Sequence, residues 1–143
     1  SGVDVNTPAI GDGTALMIAV GRNDMHMVTS LLNLGADVNQ SSAGDGNPLI
    51  IAAKRNYLRM ARLLIDQGAA VDAIVPRDET ALINASRNGH VEMVDLLLSE
   101  GADANLSVTT GWSDGYQVRS PMNMARSQAI RDRLIQAGAT EHN

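Results

Sequence analysis

Apolar residues recur along this chain in short helical sets. Counting back from Gly35, Gly68, Gly101 and Gly138, the fourth residue is Leu31, Leu64, Leu97 and Leu134, and the third is Leu32, Ile65, Leu98 and Ile135. The eighth is Met27, Met60, Met93 and Ile130. Such offsets share one face of a 3.6-residue helix, so each set predicts an amphipathic helix ending at its glycine. Glycine suits the left-handed residue that closes a helix. An earlier helix in each set is small at its centre, at Ala19, Ala52-Ala53, Ala85 and Ala125. Small side chains let neighbouring helices approach closely. Asn23, Asn56 and Gly89 stand between the paired helices, and these residue types tolerate a left-handed turn.

The sets are evenly spaced. Gly35-Ala36-Asp37-Val38-Asn39 returns 33 residues later as Gly68-Ala69-Ala70-Val71-Asp72, and after another 33 as Gly101-Ala102-Asp103-Ala104-Asn105. Thr14-Ala15-Leu16, Asn47-Pro48-Leu49 and Thr80-Ala81-Leu82 keep the same spacing of 33. A fixed period of this length marks stacked structural repeats. The expected fold is therefore mainly α, a single domain over 1–143 with repeats at about 7–39, 40–72, 73–105 and 106–143. Gly2-Val3-Asp4-Val5-Asn6 lies one period before Gly35, and residues 1–6 read as the remnant of a preceding repeat. The last repeat is irregular. It gains seven residues within 106–119, including Trp112 and Tyr116, and then loses three near Ser127-Gln128-Ala129. Arg131 and Arg133 stand where the preceding helix has Val94 and Leu96. A terminal repeat needs a polar outer face, so 120–143 reads as a shortened cap.

These residues resemble ankyrin repeats. Similarity covers about residues 2–140 and is strongest from Thr80 to Asn105, including Gly89-His90-Val91-Glu92-Met93-Val94 and Leu96-Leu97-Leu98. Met17, Ile50, Ile83 and Asn123 stand where the family usually has a histidine. The resemblance implies a solenoid of about four helix-turn-helix units linked by β-hairpin-like loops. It also implies a concave face, made of loops and first helices, that contacts partner proteins. Carried over by register, that face would use Ile10, Gly11 and Gly13 in the first unit, and Ala43, Gly44, Gly46, Ile51 and Lys54 in the second. Arg77, Glu79, Asn84 and Arg87 follow in the third, with Arg119 and Met124 in the fourth. The stretches Gly44-Asp45-Gly46-Asn47-Pro48-Leu49-Ile50 and Asp78-Glu79-Thr80-Ala81-Leu82-Ile83-Asn84-Ala85 further resemble ankyrin arrays attached to bacterial BlaR-type membrane zinc peptidases. That second resemblance implies a regulatory or sensor segment of a membrane-associated peptidase whose catalytic part lies outside this fragment.

Composition narrows the function. A formal net charge of −5 disfavours nucleic acid as the partner. The chain has no Cys, which excludes disulfides, cysteine-based zinc sites and thiol catalysis. No apolar run is long enough to span a bilayer, so this fragment is expected not to insert in one. The compartment, cytoplasmic or periplasmic, stays open. His26, His90 and His142 lack metal-ligand spacing, and His90 is expected to serve structure. Gly11-Asp12-Gly13 and Gly44-Asp45-Gly46 look like phosphate loops, but their 33-residue spacing marks repeated turns. The expectation is a monomeric, non-catalytic protein-interaction module with no cofactor and no metal.

Two periodic columns, Asp12/Asp45/Asp78 and Asn39/Asp72/Asn105, are expected to bond turn backbone and stack neighbouring loops. Arg22, Lys54-Arg55 and Arg87 end successive first helices and form a basic ridge. Two readings of it stay open: solvated cations opposing helix C-terminal dipoles, or a track for an acidic ligand segment. Arg and aromatic side chains are common interface anchors. The candidate partner-binding residues are accordingly Lys54, Arg55, Arg77, Arg87, Trp112, Tyr116 and Arg119. Whether Trp112 binds a partner or packs on its own loop stays open.

Overall fold

The computed structural model describes residues 14–112 and 115–140. Four helix pairs follow one another: α1 (Ala15–Gly21) with α2 (Met25–Asn33), α3 (Pro48–Arg55) with α4 (Leu58–Asp66), α5 (Ala81–Arg87) with α6 (Val91–Ser99), and α7 (Pro121–Met124) with α8 (Gln128–Gln136). A hairpin of β1 (Val108–Trp112) and β2 (Gly115–Arg119) precedes the last pair. Residues 1–6, Ile10, Gly11, Asp12, Gly13 and His142 lie outside the described residues, and with them the expected leading remnant.

The period-33 landmarks prove to be helix boundaries. Thr14, Asn47, Thr80 and Ser120 each precede a first helix, and each side chain accepts a hydrogen bond from a backbone N–H three residues on. Such caps satisfy donors that the first helical turn leaves free. Asn23, Asn56 and Gly89 take φ of 55°, 60° and 77°, which turns the chain from first to second helix. Gly35, Gly68, Gly101 and Gly138 close the second helices at φ between 93° and 99°. At Gly68 a Cβ would meet nothing within 4 Å, so conformation alone opposes a side chain there. Gly68→Ala is expected to destabilise by about 1 kcal/mol. A melting temperature equal to the parent's would show that the left-handed closure costs an alanine nothing.

First helices pack on one another along the array, α1 on α3, α3 on α5 and α5 on α7. Second helices make a layer behind them, with α4 on α6 and α6 on α8. The core runs between the layers. Ala52, Ala53 and Ala85 are fully buried, which is why the first helices lie so close. The second helices follow the expected stripe with three corrections, the first being that Leu31 is only half-buried. Leu64, Leu97 and Leu134, and Met60, Met93 and Ile130, are fully buried. The third residues before each glycine are only half-buried or, at Ile135, exposed. That position is rotated about 100° from its neighbour and falls at the edge of the stripe. Met27, the first member of the other set, is 46% exposed.

The Asn39/Asp72/Asn105 column bonds loops across unit boundaries. Asn39 accepts from Ala70 N–H at 2.8 Å and donates to the Gly68 carbonyl at 3.1 Å. Asp72 accepts from Asp103 N–H at 3.1 Å. Asn105 accepts from Thr140 N–H at 2.9 Å and donates to the Gly138 carbonyl at 3.0 Å. His90 also bridges units, its Nε2 lying 2.8 Å from the Lys54 carbonyl. On the other side, short fingers close through single bridges, Ser42 to Gly46 and Val75 to Glu79. Gly44 N–H donates to the Pro76 carbonyl at 3.0 Å, joining the two fingers.

The described part of the insertion forms two antiparallel strands. Its register runs from Val108 opposite Arg119 to Trp112 opposite Gly115. The three-residue deletion shortens the first helix of the last unit to α7, and Arg126 N–H reaches back to the Ser86 carbonyl at 3.0 Å. Arg133 binds Asp95 at 2.8 Å, so a charge pair stands at that unit boundary.

Candidate partner-binding face

The third finger carries the most unusual backbone on this side. Arg77 and Glu79 stand one period after Gly44 and Gly46 and occupy the same left-handed slots, at φ of 70° and 63° against 86° and 86° for the glycines. A β-carbon in that region costs energy, and non-glycine residues held there often mark functional segments. Here both are charged. Arg77 projects into solvent at the fingertip, whereas Asp78 and Glu79 are each only 4% exposed.

These two carboxylates gather cations from three units. Lys54, in the last turn of α3, pairs with Asp78 Oδ1. Glu79 Oε2 binds Arg87 Nη1 at 2.9 Å, and its Oε1 binds Arg119 Nη1 at the end of β2. Arg87 Nη2 also donates to Asn84 Oδ1 at 2.7 Å. Asn84, wholly buried, donates from Nδ2 to the Asp78 carbonyl at 2.7 Å and the Thr80 carbonyl at 2.9 Å, which fixes the finger on α5. The three cations keep about a third of their side chains exposed, at 35%, 34% and 29% for Lys54, Arg87 and Arg119. Arg55 is exposed beside Lys54.

Burial raises the Asp78 pKa above 3.8, opposed by its hydrogen bond and charge interaction with Lys54 and by Arg87, and reinforced by Glu79. Its Oδ2 has no hydrogen-bond partner among the described residues. Between 3.8 and the raised value the native chain holds more proton than the unfolded one, so stability from this group falls as pH rises through that window. Asp78→Asn lacks this dependence. The melting-temperature advantage of the parent over Asp78→Asn is expected to be largest near the acid end and to narrow toward neutral pH. An advantage that widens with pH would mean that ionised Asp78 is favoured in the fold.

The structure thus brings Lys54, Arg77, Arg87 and Arg119 around one finger. Three positions carried over by register are buried: Glu79 and Asn84 lie beneath the cations, and Gly46 is covered as well. The hairpin adds Tyr116, 86% exposed, and Val118, on the same side of β2 two residues apart. The backbone of Trp112 pairs with Gly115, and its side chain lies outside the described residues. Sequence reading did not foresee the carboxylate anchors. The available signal was charge in a glycine slot, Glu79 where the preceding unit has Gly46.

Among the described residues, no three His, Asp or Glu side chains group as metal ligands, and no helix is long and apolar enough to cross a membrane. A groove on the second-helix layer, between α4 and α6, is lined by Leu58, Arg62, Glu92, Asp95, Leu96 and Ser99. Compared with known families, the chain matches the model for ankyrin repeats (three copies) over residues 1–73 and 16–109. No curated protein matches the chain.

Proposed function

Because the chain belongs to the ankyrin-repeat family, whose arrays are in general protein-interaction modules, we propose that it is a non-catalytic binding module contacting a protein partner through its fingers and first helices. Lys54, Arg55, Arg77, Arg87, Trp112, Tyr116 and Arg119 are the proposed contact residues. The observation carrying this reading is the third finger, where buried Asp78 and Glu79 hold basic side chains that remain partly open to solvent. Carboxylates beneath and cations above favour recognition over catalysis, because this cluster has no nucleophile paired with a base. The exposed Tyr116 supplies an amphipathic anchor beside it. The array is taken to act as a monomer, which sedimentation checks.

Binding partners recovered with the parent chain from its native source are expected to be lost with a Trp112→Ala, Tyr116→Ala variant. They should be retained with Arg62→Ala on the second-helix layer. Equal recovery with the hairpin variant would remove the hairpin from the interface, and loss only with Arg62→Ala would move the site to the opposite layer. The resemblance to arrays on BlaR-type membrane peptidases supports a second proposal, a regulatory segment of a larger chain. A full-length gene encoding no peptidase would eliminate it.

A further inference from the structure

Charge is unevenly divided between the two sides of the array. Among the described residues, the fingers and first helices carry only three carboxylates, Asp45, Asp78 and Glu79. Two of these are buried under their cationic partners, which leaves Asp45 as the exposed one. The same segments carry Lys54, Arg55, Arg77, Arg87 and Arg119. The second helices and the loops behind them carry more carboxylates than cations: Asp66, Glu92, Asp95, Glu100 and Asp103 are exposed, against exposed Arg59 and Arg62 and half-buried Arg131 and Arg133. Among the described residues, a chain of net charge −5 therefore presents a basic front.

Resting on the function proposed above, we infer that the partner segment received by this face is an extended, carboxylate-rich peptide crossing the second to fourth units. Glu79 and Asp78 act as positioning groups: they hold Arg87, Arg119 and Lys54 in fixed places and so reduce the ordering needed on binding. Arg119 uses one Nη on Glu79, whereas Arg87 uses one on Glu79 and the other on Asn84, so the remaining guanidinium donors offered to an incoming carboxylate are mainly those of Arg119. Arg77, in the same finger, adds an exposed charge. Three units stacked about 10 Å apart cover roughly 20 Å, the reach of about six residues of extended chain. Tyr116 and Val118 end the track and suit an apolar residue next to the acidic run. The acidic second-helix layer disfavours a longer polyanion that would wrap past the front.

The test is to pan a random 12-residue phage-displayed peptide library on the intact chain. Enrichment of Asp and Glu is expected, with recovery falling about tenfold when an Arg55→Gln, Arg77→Gln variant replaces the parent. Both arginines are exposed, so the fold is expected to survive, and circular dichroism checks that it does. Recovery should be unchanged on Arg62→Gln. Peptides without an acidic excess that still depend on Arg55 and Arg77 would overturn the inference and leave the front face standing. Peptides lost only on Arg62→Gln would overturn both, and a library returning no acidic excess would overturn the inference. A single-stranded DNA oligonucleotide retained more tightly than the acidic peptides would assign the face to the wrong class of ligand.

Discussion

Gly46→Ala is expected to destabilise the array by about 3 kcal/mol, while Gly44→Ala, two residues away, costs about 1 kcal/mol. The two glycines share φ of 86°, so the conformational cost is common to both. They differ in surroundings. A Cβ at Gly44 would meet nothing within 4 Å. One at Gly46 would stand 2.6 Å from Asp78 Oδ2, 3.0 Å from Ile50 Cγ2 and 3.3 Å from Ile50 Cβ. None of these can give easily: Asp78 is pinned through its other oxygen by Lys54, and the Ile50 Cβ is fixed to α3. Overpacking therefore adds to backbone strain. Denaturant unfolding of both variants measures the difference, and a gap under about 0.5 kcal/mol would mean the third finger yields freely.

Glu79→Ala is expected to cost about 2 kcal/mol and to loosen the hairpin. Removing one partner of a fully buried pair costs more, but Arg87 and Arg119 are about one-third exposed and regain water. Without Glu79 the two guanidiniums converge with no anion between them. Amide exchange at Val108 and Arg119, the base of the hairpin, is expected to quicken while exchange in α4 stays unchanged. A double-mutant cycle of Glu79→Ala with Arg119→Ala should show coupling of about 1 kcal/mol. Zero coupling would reduce the Arg119 pair to an incidental contact.

Much of the fold is legible in the residues because its signals are local and repeated. Thr14, Asn47, Thr80 and Ser120 cap helices through bonds spanning three residues, and Gly35 through Gly138 close them within one turn. The loop column Asn39/Asp72/Asn105 was readable because register places each side chain beside the next loop. The face was less legible. Arg87 and Arg119 could be placed by position, but Glu79 joins Arg119 across 40 residues, and no periodicity reports that meeting. The burial of Asn84 was hidden too, since a polar residue on a first helix gives no sign that its amide will fix a finger. The hairpin left a trace in the β-branched run Val108-Thr109-Thr110 and the Asp114-Gly115 dipeptide, both strand-and-turn signals.

The second and third units are fastened at more than one place. Asn39, Asp72 and Asn105 tie the rear loops, and the Gly44 to Pro76 bond ties the fingers, with packed alanines between. Asp72 and the Gly44 to Pro76 bond act at the loop end, and the His90 to Lys54 carbonyl contact acts at the last turn of α3, so the fastenings together oppose torsion of one unit against the next. If the proposed partner binds here, most of the conformational entropy lost in the complex is expected to be lost by the partner segment. An acidic peptide of the proposed kind held extended beforehand, by proline or by cyclisation, is expected to gain affinity for this surface without making a single new contact.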